Sequence, residues 1–235
     1  KRAFTDEDLR ERACITSANS INMGRLLPQI FCYVYAWTLL PPGSTPLFSV
    51  PSGNFGNLTA GLMARRLGVP ARGFVAATNV NDTVPEYLDT GVVRPRPSTS
   101  TISNAMDVGD PSNLARILFL YGGDVNRLRE DVVGSAHDDA RTCQCIRDVY
   151  QRTGHVLDPH SAVGYLGIRA GLDAFGEGPT VLLSTAHPVK FRQTVEPEIG
   201  VSVRVPERLE GCLGAERLVT PMRPELEELR RLLLS

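Results

Sequence analysis

Lysine is nearly absent from this chain. Of its 25 basic residues only Lys1 and Lys190 are lysines, and the rest are arginines. Chemistry that needs a lysine amine therefore has two places to find one. Charge of a single sign is also missing: 25 basic residues face 26 acidic ones, and no long run of either occurs. That balance argues against nucleic acid as a partner. No apolar stretch reaches about 18 residues, the length a membrane helix needs. The longest candidate, residues 26–40, is interrupted at Pro28-Gln29 and stops at Pro41-Pro42. No membrane partner is expected, and the first residues show no signal-peptide pattern. The cysteines number five, at 14, 32, 143, 145 and 212, an odd count that fits poorly with a closed disulfide set. Free thiols and a cytoplasmic location are the expectation. Cys143 and Cys145, two apart on an expected helix, point to different faces, so no metal site is expected there.

What is present alternates between apolar runs, polar turns and helical periodicity. Leu47–Val50, Phe74–Thr78 and Thr180–Leu183 read as buried strands. Helices are expected over Met23–Leu39, Asn57–Leu67, Thr83 to about Gly91 and from about Ser112 to Tyr121. Others are expected over Asp124–Asp131, Asp138–Arg152, Asp158–Phe175, Pro188–Val195 and Glu225–Leu234. Thr5 and Thr83 are candidate caps, and Asp158 with Pro159 is a helix start. Residues 92–103 read as an irregular covering segment, and Val201–Val205 as an edge strand. The order implies an α/β fold with a mainly parallel sheet flanked by helices, whose ligands gather at the carboxyl ends of the strands.

Three of those strand ends are polar: Ser52–Asn57, Thr78–Asp82 and Ser184–His187. The first, Ser52-Gly53-Asn54-Phe55-Gly56-Asn57, links a strand to a helix. Glycines there let the backbone N–H groups curl around an anion at the helix start, and phosphate suits such a nest. The same pattern also fits a plain turn capped by Asn57. It is neither a dinucleotide fingerprint nor a Walker loop. Asn19, Ser20, Asn22 and Arg25 gather amides and a guanidinium before an apolar helix, where they suit a phosphate or carboxylate, or a cap and an ion pair. Thr185 ends a strand and offers a hydroxyl. His187 and His160 read by default as local hydrogen-bonding groups, and His137 and His155 as surface residues.

Six ordered blocks carry a resemblance. They are Ser17–Asn22 with Arg25–Gln29, Pro51–Gly61, Ala76–Val84, Ser103–Val108 with Pro111–Asn113, Leu157–Val163, and Ser184–Phe191. In this order the chain closely resembles the carboxyl-terminal half of threonine synthase, the match weakening after about residue 200. The resemblance implies a pyridoxal-phosphate enzyme of fold type II, the tryptophan-synthase-β-like fold, incomplete here at its amino-terminal side. Residues 1–200 would be part of the cofactor-binding α/β domain and 201–235 a strand/helix extension of it. The family converts O-phospho-L-homoserine and water into L-threonine and phosphate. By resemblance, Ser52, Gly53, Asn54, Phe55, Gly56 and Asn57 hold the phosphate of pyridoxal 5'-phosphate, and Thr185 meets its pyridine nitrogen. Asn19, Ser20, Asn22 and Arg25, with Asn79, Asn81 and Asp82, lie on the substrate side.

The chain departs from the family at one point. The family's Lys-Asp pair, whose lysine carries the cofactor, and its Ser/Thr-Gly-Asp-Thr-Gly segment do not occur here. Lys190 matches a different family lysine and Lys1 matches none. The expectation is a carboxyl-terminal fragment that is inactive alone and partnered by a missing amino-terminal half. Its sheet edges and apolar faces would then be exposed. Two alternatives stay open: a phospho-lyase that releases a 2-keto acid, or a non-catalytic domain that binds a phosphate ligand.

Overall fold

In the computed structural model, residues 2–13, 15–213, 215–216 and 218–234 are described. Cys14 lies outside them, as does the side chain of Cys212. Four parallel strands form one sheet in the order β3-β2-β1-β4: β1 Leu47–Pro51, β2 Gly73–Thr78, β3 Val132–Ala136 and β4 Thr180–Leu182. Parallel neighbours need crossovers, and helices supply them on both faces. Gly56–Arg66 links β1 to β2 and Pro159–Phe175 leads into β4.

One face of the sheet is built on aromatics. Phe48 and Phe74, on neighbouring strands, stack with ring centroids 5.6 Å apart, and Tyr33 meets Phe48 edge-on at 5.0 Å. Tyr33 belongs to the helix Ile30–Thr38, which packs on Gly56–Arg66. The other face uses the opposite device. Helix Pro159–Phe175 turns Gly164, Gly167 and Gly171 toward the sheet at helical spacing. A methyl group at Gly164 would lie 2.5 Å from Leu182 and 2.7 Å from Pro51, and one at Gly171 would lie 2.6 Å from both Leu47 and Val75. The absent side chains let this helix lie close on the sheet. The Ser49 hydroxyl then donates to the Gly164 carbonyl at 2.6 Å.

Several local expectations change. Val132–Ala136 is a strand that the sequence reading passed over: it is half-buried at a sheet edge, and Gly134 interrupts its apolar run. Val201–Val205 is not a strand. Its Val203 N–H donates to the Glu196 carboxylate at 2.9 Å, and Val203 packs with Val195 and Ile199, so helix Arg192–Ile199 holds the segment. The run Met23–Leu39 is three pieces, Met23–Leu26, a 3₁₀ turn Leu27–Gln29 around Pro28, and Ile30–Thr38. Pro188–Phe191 is likewise a 3₁₀ turn, ahead of Arg192–Ile199. Asp6, not Thr5, caps Glu7–Arg12. Thr83 caps nothing; its hydroxyl donates to the Gly109 carbonyl. The Arg230 guanidinium reaches back to both Asp6 and Asp8, tying the last helix to helix Glu7–Arg12.

Part of the apolar surface is exposed. Met23, Leu27, Phe31, Tyr35 and Leu39 recur every four residues and all face solvent. No helix among the described residues is long and apolar enough to cross a membrane. Replacing Phe48 by alanine removes the centre of the aromatic trio, and urea unfolding is expected to show a loss of about 3–5 kcal/mol. A loss below about 1 kcal/mol would mean that the trio does not hold this face together.

Candidate cofactor site at the strand ends

Strand β1 ends where Ser52 N–H donates to the Ala77 carbonyl at 2.8 Å. The chain then turns away from the sheet. Phe55 takes φ +58°, a left-handed conformation that is rare for a bulky residue, and is buried. The helix begins at Gly56, with no side chain capping it; Asn57 sits inside the first turn, not at the cap. Among the described residues, no acceptor takes the backbone N–H groups of residues 53–58. The plain turn capped by Asn57 is therefore not what the structure shows, and these donors stay open at the helix start.

The two glycines are fixed by close approach. A Cβ on Gly53 would lie 2.6 Å from the Met106 Cα and 2.8 Å from the Ala105 carbonyl oxygen; one on Gly56 would lie 2.5 Å from the Ser20 Cβ. The loop is thus clasped between segments 103–107 and 17–22. Its polar side chains are spent on neighbouring protein groups. Asn54 Nδ2 donates to Asn19 Oδ1 and Ser20 Oγ, each at 3.1 Å, and Asn54 Oδ1 accepts the Ser112 N–H at 2.7 Å. Asn113 Nδ2 donates to Ser20 Oγ and to the Asn54 carbonyl. Asn57 is held by the Tyr33 hydroxyl at 2.7 Å from its Oδ1, and its Nδ2 donates to Gln29. The Ser52 hydroxyl donates to the Val50 carbonyl.

The candidate substrate-side residues fall into two groups. Asn19 and Ser20 touch the loop directly. Asn22 caps the turn Met23–Leu26, and Arg25 Nε donates to the Ala18 carbonyl on an exposed surface. Asn79 and Asn81 are buried in a separate network with Thr99, Thr101, Ser103 and Asp107, which anchors segment 99–107 above the strand ends. Asp82 pairs with Arg96. Thr185 is exposed, two residues beyond the last β1–β4 contact, Leu183 N–H to the Ser49 carbonyl. Continued, the Ser49–Leu182 register sets Thr185 opposite Ser52. Ser52 and Thr185 thus leave neighbouring strands at the same end of the sheet.

A cluster that sequence reasoning passed over lies beneath this end. Asp158, fully buried, caps helix Pro159–Phe175; its Oδ1 accepts the His160 N–H and the ring Nδ1–H, and its Oδ2 accepts the Ser161 hydroxyl. His160 Nε2 accepts the Ala105 N–H at 3.2 Å, which fixes the proton on Nδ1. The Ser161 oxygen lies 2.6 Å from that of Ser184. The motif Asp-Pro-His-Ser was legible as a helix start, but its reach to Ala105 and Ser184 was not. His187 Nδ1 accepts the Val189 N–H. His137 is half-buried rather than on the surface, with Nε2 2.6 Å from Ser135 Oγ; burial, helped by Arg141, lowers its pKa. Cys143 and Cys145 do point apart, and burial pushes both thiols up to about 11. No metal-binding cluster occurs among the described residues.

Burial pushes the Asp158 carboxyl up, but the hydrogen bonds from His160 and Ser161 outweigh it and hold the group below the usual carboxylate range. The unfolded chain therefore takes up this proton first as pH falls. The stabilisation is complete above the unfolded pKa and is lost as pH drops through the depressed folded value. Asp158→Asn is expected to cost about 2 kcal/mol at neutral pH, a deficit that narrows in acid. A deficit constant with pH in urea titrations would contradict this.

A family model described as threonine synthase, C-terminal, matches residues 161–233. Threonine synthase of Escherichia coli K12 is 40% identical over 237 residues, covering 100% of this chain and 54% of the relative. That of Pseudomonas aeruginosa is 30% identical over 256 residues, covering 98% of this chain and 54% of the relative. The crystal structure of the Escherichia coli enzyme superposes with a TM-score of 0.89 at 40% identity, over 98% of this chain and 54% of that one. A pyridoxal-phosphate-bound threonine synthase from Brucella melitensis gives 0.88 at 29% identity, over 99% of this chain and 55% of that one. The chain spans about half the length of the curated relatives it matches. Along its full length, with the tryptophan-synthase-β-like α/β fold, it matches the threonine synthase family.

Proposed function

We propose that this chain forms the phosphate and pyridine walls of a pyridoxal 5'-phosphate site in a threonine synthase, acting on O-phospho-L-homoserine to give L-threonine and phosphate. The observation that carries the reading is the row of open N–H groups at residues 53–58, at the start of an eleven-residue helix and clasped by Met106 and Ser20. Such a nest fits a dianionic phosphate: several donors converge, the helix start adds positive potential, and no acidic side chain belongs to the loop.

Each residue has a task. The loop 52–57 binds and orients the phosphate through its backbone. Asn54, pinned by Asn19, Ser20 and Ser112, keeps the loop from closing when empty. Thr185 offers the ring its hydroxyl. Asn19 and Ser20 hold the rim on the substrate side, with the Arg25 guanidinium in solvent beside them. Asn79 and Asn81 act at one remove, by fixing segment 99–107, and Asp82 does so through Arg96. When bound, the cofactor supplies an electron sink for carbon acids. The amine that carries it is not assigned to Lys190, which is exposed on the turn Pro188–Phe191. Catalysis on this reading draws on a lysine from outside these residues, in a cytoplasmic enzyme, and the isolated chain is inactive.

Titration with inorganic phosphate and with pyridoxine 5'-phosphate, which has no aldehyde, tests the reading calorimetrically. Competitive binding of the two is expected. Gly53→Ala forces its methyl group into the Met106 backbone and is expected to weaken both at least tenfold. Binding of neither ligand, or binding unaffected by Gly53→Ala, would refute the site. Product analysis on an assembled enzyme separates threonine from the 2-keto acid of a phospho-lyase.

A further inference from the structure

Helix Pro159–Phe175 packs on the sheet, and helix Asp139–Thr153 packs on it in turn. A cavity of about 230 Å³ lies along the seam of the two helices. Its floor is apolar: Cys145 and Val149 are buried and Leu166 is half-buried. Its rim carries charges of both signs. Arg141, Asp148 and Arg152 share one face of helix Asp139–Thr153, two turns and then one turn apart. Asp148 and Arg152 have the spacing and the order that favour an ion pair, acid before base. Arg169–Asp173 and Arg192–Glu196, in the less favoured order, both pair at 2.8 Å. Asp148 and Arg152 do not, because the arginine fork is held elsewhere. Its Nε donates to the Asp148 backbone carbonyl at 3.3 Å and its Nη2 to the Tyr165 hydroxyl at 3.1 Å. Arg152 Nη1, the Asp148 carboxylate and the Arg141 guanidinium are left with no hydrogen bond or ion pair among the described residues. Burial raises the Cys145 thiol beneath them, Asp148 adds to this and Arg152 opposes it, so both charges bear on the cavity floor.

We infer that this cavity binds a free α-amino acid with an acidic side chain, its ammonium on Asp148, its α-carboxylate on Arg152 and its acidic end on Arg141. The match is one of spacing. The ammonium and carboxylate of an α-amino acid sit on one carbon, so they need an anion and a cation side by side. Asp148 and Arg152 are one turn apart and not spent on each other. Arg141, two turns from Asp148, then meets an anion carried on the side chain, while the ligand's methylenes cover Cys145 and Val149. A plain dicarboxylate would set no cation against Asp148, and an apolar amino acid would leave Arg141 unpaired. Tyr165 already orders the Arg152 fork, so less freedom is lost on binding. Charge-assisted hydrogen bonds over an apolar floor are stronger than the same bonds in open water. The inference is independent of the cofactor reading, because the lining residues all belong to the two helices and none to the loops at the strand ends.

Titration of the chain with L-glutamate, followed by NMR, tests this. Glutarate, which lacks the ammonium, and L-norvaline, which lacks the acidic end, are the comparisons. L-Glutamate is expected to bind about tenfold tighter than either. Asp148→Asn should weaken L-glutamate about tenfold and leave glutarate within about twofold. Arg141→Gln should weaken L-glutamate by a similar factor and leave L-norvaline within about twofold. Neither side chain has a hydrogen-bonding or ion-pair partner in the protein, so thermal unfolding of both unliganded variants should match the parent. Gly53→Ala, in the 52–57 loop, should leave L-glutamate binding unchanged. No binding of L-glutamate at millimolar concentration, or equal binding of glutarate or L-norvaline, overturns the inference on the parent alone, without any variant. So does a variant that weakens all three ligands equally, or a loss of L-glutamate binding in Gly53→Ala. None of these results bears on the cofactor site, which is tested with its own ligands.

Discussion

The site depends on two glycine contacts too close for a Cβ. Gly53 lies against Met106 and Ala105, and Gly56 against Ser20. Because those surfaces meet, three segments far apart in sequence become one wall: the strand–helix loop, the stretch 17–22 and the stretch 103–113. The amides of Asn54 and Asn113 then have partners on both sides. The glycines are usually credited with curling around an anion. Here their first effect is to let protein approach protein, and the anion nest is what the approach leaves open.

The same economy of volume appears on the opposite side of the sheet. Gly164, Gly167 and Gly171 bring helix Pro159–Phe175 down onto β1, β2 and β4, so its first turn sits directly beneath the strand ends. That proximity brings Asp158, buried but fully hydrogen-bonded, within reach of both Ala105 and Ser184 through its neighbours. An ionised carboxylate at such depth is tolerable only with several donors, and His160 and Ser161 supply them. One helix start thus braces the segment under the 52–57 loop and the strand end beside it.

Much of this was legible in the sequence. The strands β1, β2 and β4 show as apolar runs, and Asp158-Pro159 shows as a helix start. The rest depends on tertiary contacts. Strand β3 is short, half-exposed and interrupted by Gly134, whose missing side chain admits Pro85. Val201–Val205 has strand-like composition, but Glu196 and the surface of Val195 and Ile199 take it instead. Asn79 and Asn81 look like ligand groups in the sequence because polar residues at a strand end are ambiguous. Only the positions of Thr101, Ser103 and Asp107 reveal that their amides are already engaged. His160 was read as a local hydrogen-bonding group, which it is, though one of its partners lies 55 residues away.

That division between spent side chains and open backbone bears on how the loop can bind. Side-chain amides are mobile, and ordering them on a ligand costs entropy. In this loop the amides of Asn54 and Asn57 are already ordered, by Asn19, Ser20, Ser112, Gln29 and Tyr33. The donors left unpaired are backbone N–H groups, and a helix start holds these rigidly. Phe55 keeps its unfavourable left-handed conformation only because it is buried and its neighbours are fixed on both sides. Strain, closely packed glycines and paired amides therefore serve one end. On the proposed reading the donors converge before an anion arrives, and its charge would meet dipoles that need not reorient.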